Sequence, residues 1–270
     1  MHELPGPFRM NLLLLKILVT PALIGTASLA GRRWGHSISG WLVALPLTTG
    51  PITFFLAVSH GQAFAASAAA GTLAGGISQA AFVAAYGLLA WHWKWPATLA
   101  AAILSFALLT ALLQQLTLPL LPLCAVVFIV FLLILRALSG RTGAAEISDA
   151  VPPRWDIPLR MAIATVFVVL ITALAPGFGP RLTGLLAPFP LFTATLAAFA
   201  HHQAGPAAAT RVLRGLVMGL FSYASFFFVL AILLVPAGIA VAFAVAVPVM
   251  LILQGTSLWL LKRQPKLLPA

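Results

Sequence analysis

The fold class this sequence predicts is an all-α polytopic membrane protein of about nine transmembrane helices, arranged as two inverted-topology repeats of five and four. Three observations carry it. Hydrophobic residues make up 62% of the chain and charged residues 7%, a balance that suits lipid as the solvent and not water. Apolar runs able to cross ~30 Å of hydrocarbon recur from end to end. A displacement of 144 residues lays the first half of the chain on the second.

Taken in order, the runs fall at 11–31, 37–58, 64–90, 96–113 and 118–138, then at 160–176, 183–200, 210–235 and 237–261. The first ends in Ala27-Ser28-Leu29-Ala30, the small-residue pattern of a cleaved leader. The repeat argues for a retained span instead, because this run lies on the sixth. Lys16, inside it, is expected to snorkel to the interface. The second run is interrupted near its middle by Pro46 and Pro51, and the third carries closely spaced glycines. The fourth and fifth are separated only by the stretch from Gln114 to Pro119, yet Pro96 to Leu138 is too long for one span. Two helices and a tight turn are therefore expected. The chain divides into a first transmembrane repeat over 1–138, a cytoplasmic linker over 139–159 rich in proline and mixed charge, and a second repeat over 160–270.

The repeat superposes Lys16 on Arg160, Gly40 on Gly184, Pro46-Leu47 on Pro190-Leu191 and Thr49 on Thr193. It continues without a gap through Gly71 on Gly215, Gly75 on Gly219, Ser78 on Ser222, Ala80 on Ala224 and Phe82 on Phe226. Basic residues reveal the sense of insertion, since lysine and arginine are retained on the cytoplasmic side. With the C-terminus cytoplasmic and the N-terminus outside, twelve lysines and arginines fall inside against three outside, Arg9, Lys16 and Arg181. The turns alternate as well. The basic turn Arg32-Arg33-Trp34-Gly35-His36 stands against Gly177 to Arg181 with its single arginine, Ser59-His60-Gly61-Gln62 without lysine or arginine against the stretch from His201 to Arg214 holding two arginines, and Trp91 to Lys94 against uncharged Val235 to Gly238. Mirrored charge is what opposite insertion of two related halves demands. The expected location is a bacterial inner membrane, with lipids and a small solute as partners and a homodimer as a candidate assembly.

Several function classes drop out. Only four acidic residues occur, Glu3, Glu146, Asp149 and Asp156, all outside the apolar runs, so no carboxylate is placed for membrane-embedded chemistry. The net charge of +11 is dispersed at span ends and forms no stripe to follow phosphates, so nucleic acid is not expected. Cys124 is the single cysteine and sits in an apolar run as a small hydrophobe. No nucleophile elbow, phosphate loop or metal-ligand spacing appears, so no enzyme, metal or cofactor is expected.

The candidate binding residues are those around the paired helix breaks: Pro46, Thr48, Thr49, Gly50 and Pro51 in the first half, Pro188, Phe189, Pro190, Thr193 and Thr195 in the second. Proline removes a backbone donor and disrupts the preceding turn, leaving amides and carbonyls that must be satisfied by protein, water or solute. Inverted repeats broken at corresponding points place such groups at a midplane site. A harmless proline kink is the alternative at either break taken singly. Gly71 with Gly75 and Gly215 with Gly219 form four-residue glycine pairs suited to close helix packing between the halves. His60, His201 and His202 stand at ends of the broken helices as candidate gating or proton-linked groups, with simple interfacial anchoring as the competing role. Arg211 and Arg214, a turn apart, are candidates for an anionic solute or lipid headgroup, or for positive-inside anchoring. Trp34, Trp41, Trp91, Trp93 and Trp259 fall near span ends as an interfacial belt.

At Phe189-Pro190-Leu191-Phe192-Thr193, then Ala200-His201-His202, and on to Ser222-Tyr223, the second half resembles GlpM, a family of small bacterial inner-membrane proteins associated with alginate production. The resemblance spans roughly 90 residues and implies a duplicated and inverted ancestor, with no activity that transfers residue by residue. The five-helix plan is also similar to that of drug/metabolite transporters at the level of fold. The functional expectation is a secondary transporter or exporter of a small polar or anionic solute. A flippase for a lipid or lipid-linked sugar, and a non-transporting subunit of an envelope polysaccharide assembly, are the alternatives.

Overall fold

The computed structural model describes residues 14–26, 29, 45–139 and 156–263, and among them every regular element is a helix. The leader-like Ala27-Ser28, the Arg32-Arg33 turn, Gly40, most of the linker and the C-terminal tail lie outside the described residues. Helix α1 is Leu14–Thr26, α2 is Thr49–His60, and α3 is Gln62–Leu89. Helix α4 is Trp95–Gln115, α5 is Leu120–Ser139, α6 is Asp156–Leu186, and α7 is Leu191–Arg263. Five of these, α3 through α7, are long and apolar enough to cross a membrane, which makes multi-pass insertion the natural reading of the fold.

Helices α4 and α5 are separate, as their summed length requires, with 116–119 as the turn and Pro96 in the first turn of α4 where its missing N–H costs nothing. The last two elements are longer than any single span. As a straight rod the 73 residues of α7 would reach roughly 110 Å. Instead the backbone leaves helical geometry at Gly205 (φ 81°) and Gly238 (φ 82°), and α6 does so at Gly179 (φ 73°). Positive φ suits glycine, and Gly179 and Gly205 are each followed by a proline that starts the next segment with its φ already set. We therefore divide α6 into α6a (156–178) and α6b (180–186), and α7 into α7a (191–204), α7b (206–237) and α7c (239–263). The Ser222 hydroxyl reaches the Gln254 side-chain oxygen, equidistant from Gly238, so α7b and α7c fold back on each other as a hairpin.

The hub is α3. Of its most apolar window 67% is buried, against 17% for α5, because α3 is built of Gly, Ala, Ser and Thr where α5 is built of Leu, Val, Ile and Phe. Large apolar side chains can face lipid, whereas small ones let backbones approach. A Cβ on Gly71 would sit 2.6 Å from the Arg181 carbonyl oxygen, and one on Gly75 would sit 2.8 Å from that of Leu185. A Cβ on Gly184 would collide with the Ala68 carbonyl. Thus α3 and α6b touch backbone to backbone, first half against second. For Gly215 no described atom lies within 4 Å of the added Cβ, and the residue its repeat partner would bring, Gly40, lies outside the described residues. Arg181 ties the same region to α4, donating to the carbonyls of Leu113 and Leu116 at the α4 C-terminus, where a helix leaves acceptors unpaired and favours a cation.

The 144-residue displacement reappears in local structure. Leu47 N–H donates to Leu45 (2.7 Å) as Leu191 N–H does to Phe189 (2.8 Å), and Gly50 N–H donates to Pro46 (2.8 Å) as Ala194 N–H does to Pro190 (2.7 Å). Gly61 has φ 88°, close to the 81° of its counterpart Gly205. Thr110 Oγ1 donates to Ser78 Oγ at 2.9 Å, at the positions occupied in the second half by Gln254 and Ser222. The leading helices of the two halves run antiparallel, since Lys16 meets Thr172 whereas a Cβ on Gly25, further along α1, would meet Met161, further back along α6a.

Candidate functional site

Helices α2 and α7a both begin at the interior. Each follows a short non-helical stretch, 45–48 before α2 and 187–190 before α7a, and each is short, 12 residues for α2. The first-turn amides of a helix have no intrahelical acceptor and carry its positive dipole end. Two such ends converge on one cavity of about 50 Å³, formed from Leu45, Pro46, Thr48 and Thr49 on one side and the run from Ala187 to Thr193 on the other. It has room for a few waters or one small ion.

Two further side chains complete it, Gln79 from α3 and Tyr223 from α7b, and they occupy equivalent positions under the 144-residue displacement. Tyr223 is nearly fully buried and donates to the Thr72 carbonyl at 3.2 Å, which joins α7b to α3. Gln79 is 9% exposed, and its Oε1 has no hydrogen-bond partner among the described residues. A buried amide oxygen without a donor is costly, and here it faces the cavity as an open acceptor. Apolar walls come from Leu216, Leu220 and Phe189, the last held edge-on by Phe106 at 5.3 Å.

Of the sequence candidates, Pro46, Thr48, Thr49, Pro188, Phe189, Pro190 and Thr193 line this cavity. Gly50 and Pro51 do not; they are buried in the first turn of α2, where Gly50 packs on the Phe226 ring. Thr195 also lies off the lining, exposed two residues along α7a, its hydroxyl returned to the Leu191 carbonyl. Gln79 and Tyr223 were not singled out for the site. A glutamine in the middle of a membrane helix was the available signal, since such a group is placed there at a cost.

The histidines separate. His60 is at the end of α2 with its ring on Phe64 at 4.9 Å, and partial desolvation together with the Lys16 ammonium holds its pKa below the ordinary imidazole value. His201 is buried, with Nδ1 3.5 Å from the Tyr86 hydroxyl, while His202 is exposed beside Trp95. None of the three lines the cavity. Arg211 and Arg214 are half-buried on α7b, off the cavity lining, and the Arg214 Nε is buried without a hydrogen-bond partner among the described residues. Trp91, Trp93 and Trp95 are exposed together at the α3–α4 turn, as interfacial indoles are. Among the described residues no three metal-ligating side chains gather. Lys16 corrects the expectation of snorkelling: it is 7% exposed, donates to Thr172 Oγ1 at 2.9 Å and lies 5.6 Å from the Phe55 ring centroid. The inward stripe of α1, which Lys16 shares with Thr20, turns it away from the lipid.

No protein-family model, curated protein or solved structure matches this chain.

Proposed function

We propose that the protein is a secondary transporter or exporter of a small polar or anionic solute, recognised where α2 and α7a begin. The observation that carries this reading is the cavity itself, set between two equivalent helix breaks and holding the unpartnered Gln79 amide oxygen. The two helix ends offer partial positive charge, although the Gly50, Ile52, Leu191 and Ala194 amides are already taken by backbone carbonyls; Thr49 and Thr193 add hydroxyls, and Gln79 adds an acceptor and a donor. Together these recognise a solute with electronegative atoms without any carboxylate in the membrane.

The reading rests on nine spans, 5+4, in two halves inserted with opposite sense. Support comes from the antiparallel course of α1 and α6a, from the matched hydrogen bonds at Pro46 and Pro190, and from the alternation of basic turns. In such an architecture one half rocks against the other around a fixed central site, and the alternating accessibility of that site is transport. The contact of α3 with α6b brings the two halves together through backbone at Gly71 and Gly184. A bacterial inner membrane, with the C-terminus inside, fits the distribution of lysine and arginine.

The test is the double variant Pro46→Ala/Pro190→Ala, reconstituted into liposomes at matched protein content. Healing both breaks is expected to cut flux at least tenfold while membrane insertion and monodispersity remain. Full flux in a folded double variant overturns the site. A lipid-handling role finds a specific observation only in the buried Arg214 Nε, and its distinguishing result is stabilisation by anionic lipid that Arg214→Gln removes.

A further inference from the structure

Lys16 is a buried cation with no anion among the described residues to balance it. Its ammonium is held by Thr172 Oγ1 at 2.9 Å, and that hydroxyl already donates to the Val168 carbonyl at 2.7 Å, so Thr172 accepts from the lysine and neutralises nothing. Among the described residues it also meets the Phe55 face and acts at longer range on His60, which carries no negative charge in either protonation state. The one acidic residue on the described helices that meet here is Asp156. Sixteen positions of α6a separate it from Thr172, about 24 Å of helix. One turn along α1, on the same face as Lys16, Thr20 is fully buried and its hydroxyl has no hydrogen-bond partner among the described residues.

An ammonium without a counter-charge in an apolar interior is expensive, and an unmet hydroxyl one turn along the same face of the helix adds to the cost. A small anion reaching both would remove both costs, taking a charge-assisted bond from Lys16 and a hydrogen bond from Thr20. The place also matters. Along α2, His60 marks the end, Phe55 lies 5 positions inward at Lys16, and Thr49 lies 6 further at the cavity, steps of about 7.5 and 9 Å. A cation there stands between the end of α2 and the two positive helix ends. The second half has no equivalent, since Thr20 is matched by Ala164 and Phe55 by Phe199, which is exposed.

We propose that Lys16 and Thr20 form a holding site for a small monovalent anion on its way to the cavity, and that the transported solute is therefore anionic. This narrows the transporter reading and rests on it. The experiment measures the thermal stability of the purified full chain against sodium chloride, nitrate and formate, with erythritol as a neutral polar probe, in the wild type, Lys16→Met, Lys16→Arg, Thr20→Val and Gln79→Leu. The wild type is expected to gain several degrees with at least one anion beyond the shift seen in Lys16→Met, with Lys16→Arg retaining the gain. Thr20→Val is expected to be as stable as the wild type without salt, yet to need at least threefold more anion, which a purely structural threonine would not produce. If Lys16→Met does not yield folded protein, chloride-35 line broadening on the wild type, competed by nitrate and weakened in Thr20→Val, supports the site in its place.

Equal stabilisation of wild type and Lys16→Met by every anion overturns the proposal, as does an unbroadened chloride signal with unchanged anion response in Thr20→Val. Stabilisation by erythritol alone, lost in Gln79→Leu, sinks the anion inference and leaves the cavity standing. No stabilisation by any probe, with no flux in liposomes, brings down both.

Discussion

Where the first half places Gln79 the second places Tyr223, and where the first places Thr48 the second places Phe192, although all four face one cavity between helix breaks with matched backbone hydrogen bonds. The same divergence runs along the leading helices, where the first half buries Lys16 and Thr20 and the second has Arg160 and Ala164. The backbone devices, proline breaks and glycine turns, are shared, and the polar side chains are not. On the transporter proposal, the shared backbone devices would set where a solute sits and the differing side chains what sits there; in the lining itself the first half supplies most of the hydrogen-bonding capacity.

The largest expected effect tests the frame. Gly184→Val places a branched side chain against the Ala68 carbonyl on α3 and should cost about 3 kcal/mol or more, seen as loss of monodisperse protein in detergent. Gly177→Ala, a few residues earlier on an exposed part of α6a with nothing within 4 Å, should be neutral or gain up to about 1 kcal/mol. Comparable losses in both would mean that the α3–α6b contact is not the close one described.

The next effect separates the two site residues that the repeat pairs. Gln79→Leu removes an unmet buried amide oxygen and should raise stability by about 1 kcal/mol while abolishing solute-dependent stabilisation. Tyr223→Phe loses a hydrogen bond to Thr72 and should lower stability by about 1 kcal/mol, with solute response retained. A melting series with and without solute reads both quantities. The reverse pattern would assign the binding role to the second half.

The smallest effect concerns the paired interhelical bonds. Ser78→Ala severs the contact with Thr110, and Ser222→Ala the contact with Gln254; each should cost about 0.6 kcal/mol by equilibrium unfolding. Equal costs would make the two hairpins energetic equivalents.

Much of the helical plan could be read from the chain because lipid imposes it: apolar runs must be helices of a set length, and Pro46, Pro190, Gly205 and Gly238 mark the places where helices cannot continue unchanged. The helix starts just after Pro46 and at Leu191 just after Pro190 belong to this legible part, as do the small-residue stripe of α3 and the separation of α4 from α5. Helix ends shifted by a few residues where a turn glycine, as at Gly205, moved the start of α7b ahead of its apolar run.

The chain by itself thus determined the all-helical class, the apolar lengths that suit multi-pass insertion, and the matched helix starts after Pro46 and Pro190, because periodicity, length and repetition are local properties of sequence. Only the tertiary structure decided that Gln79 and Tyr223 join the two breaks, that Thr195 stays outside, and that Lys16 turns inward to Thr172. Those outcomes depend on helix rotation. A membrane helix can present any face to lipid at little cost in length or hydropathy, so rotation is set by contacts with helices distant in sequence, through glycines such as Gly71, Gly75 and Gly184 that admit a neighbouring backbone on one side alone.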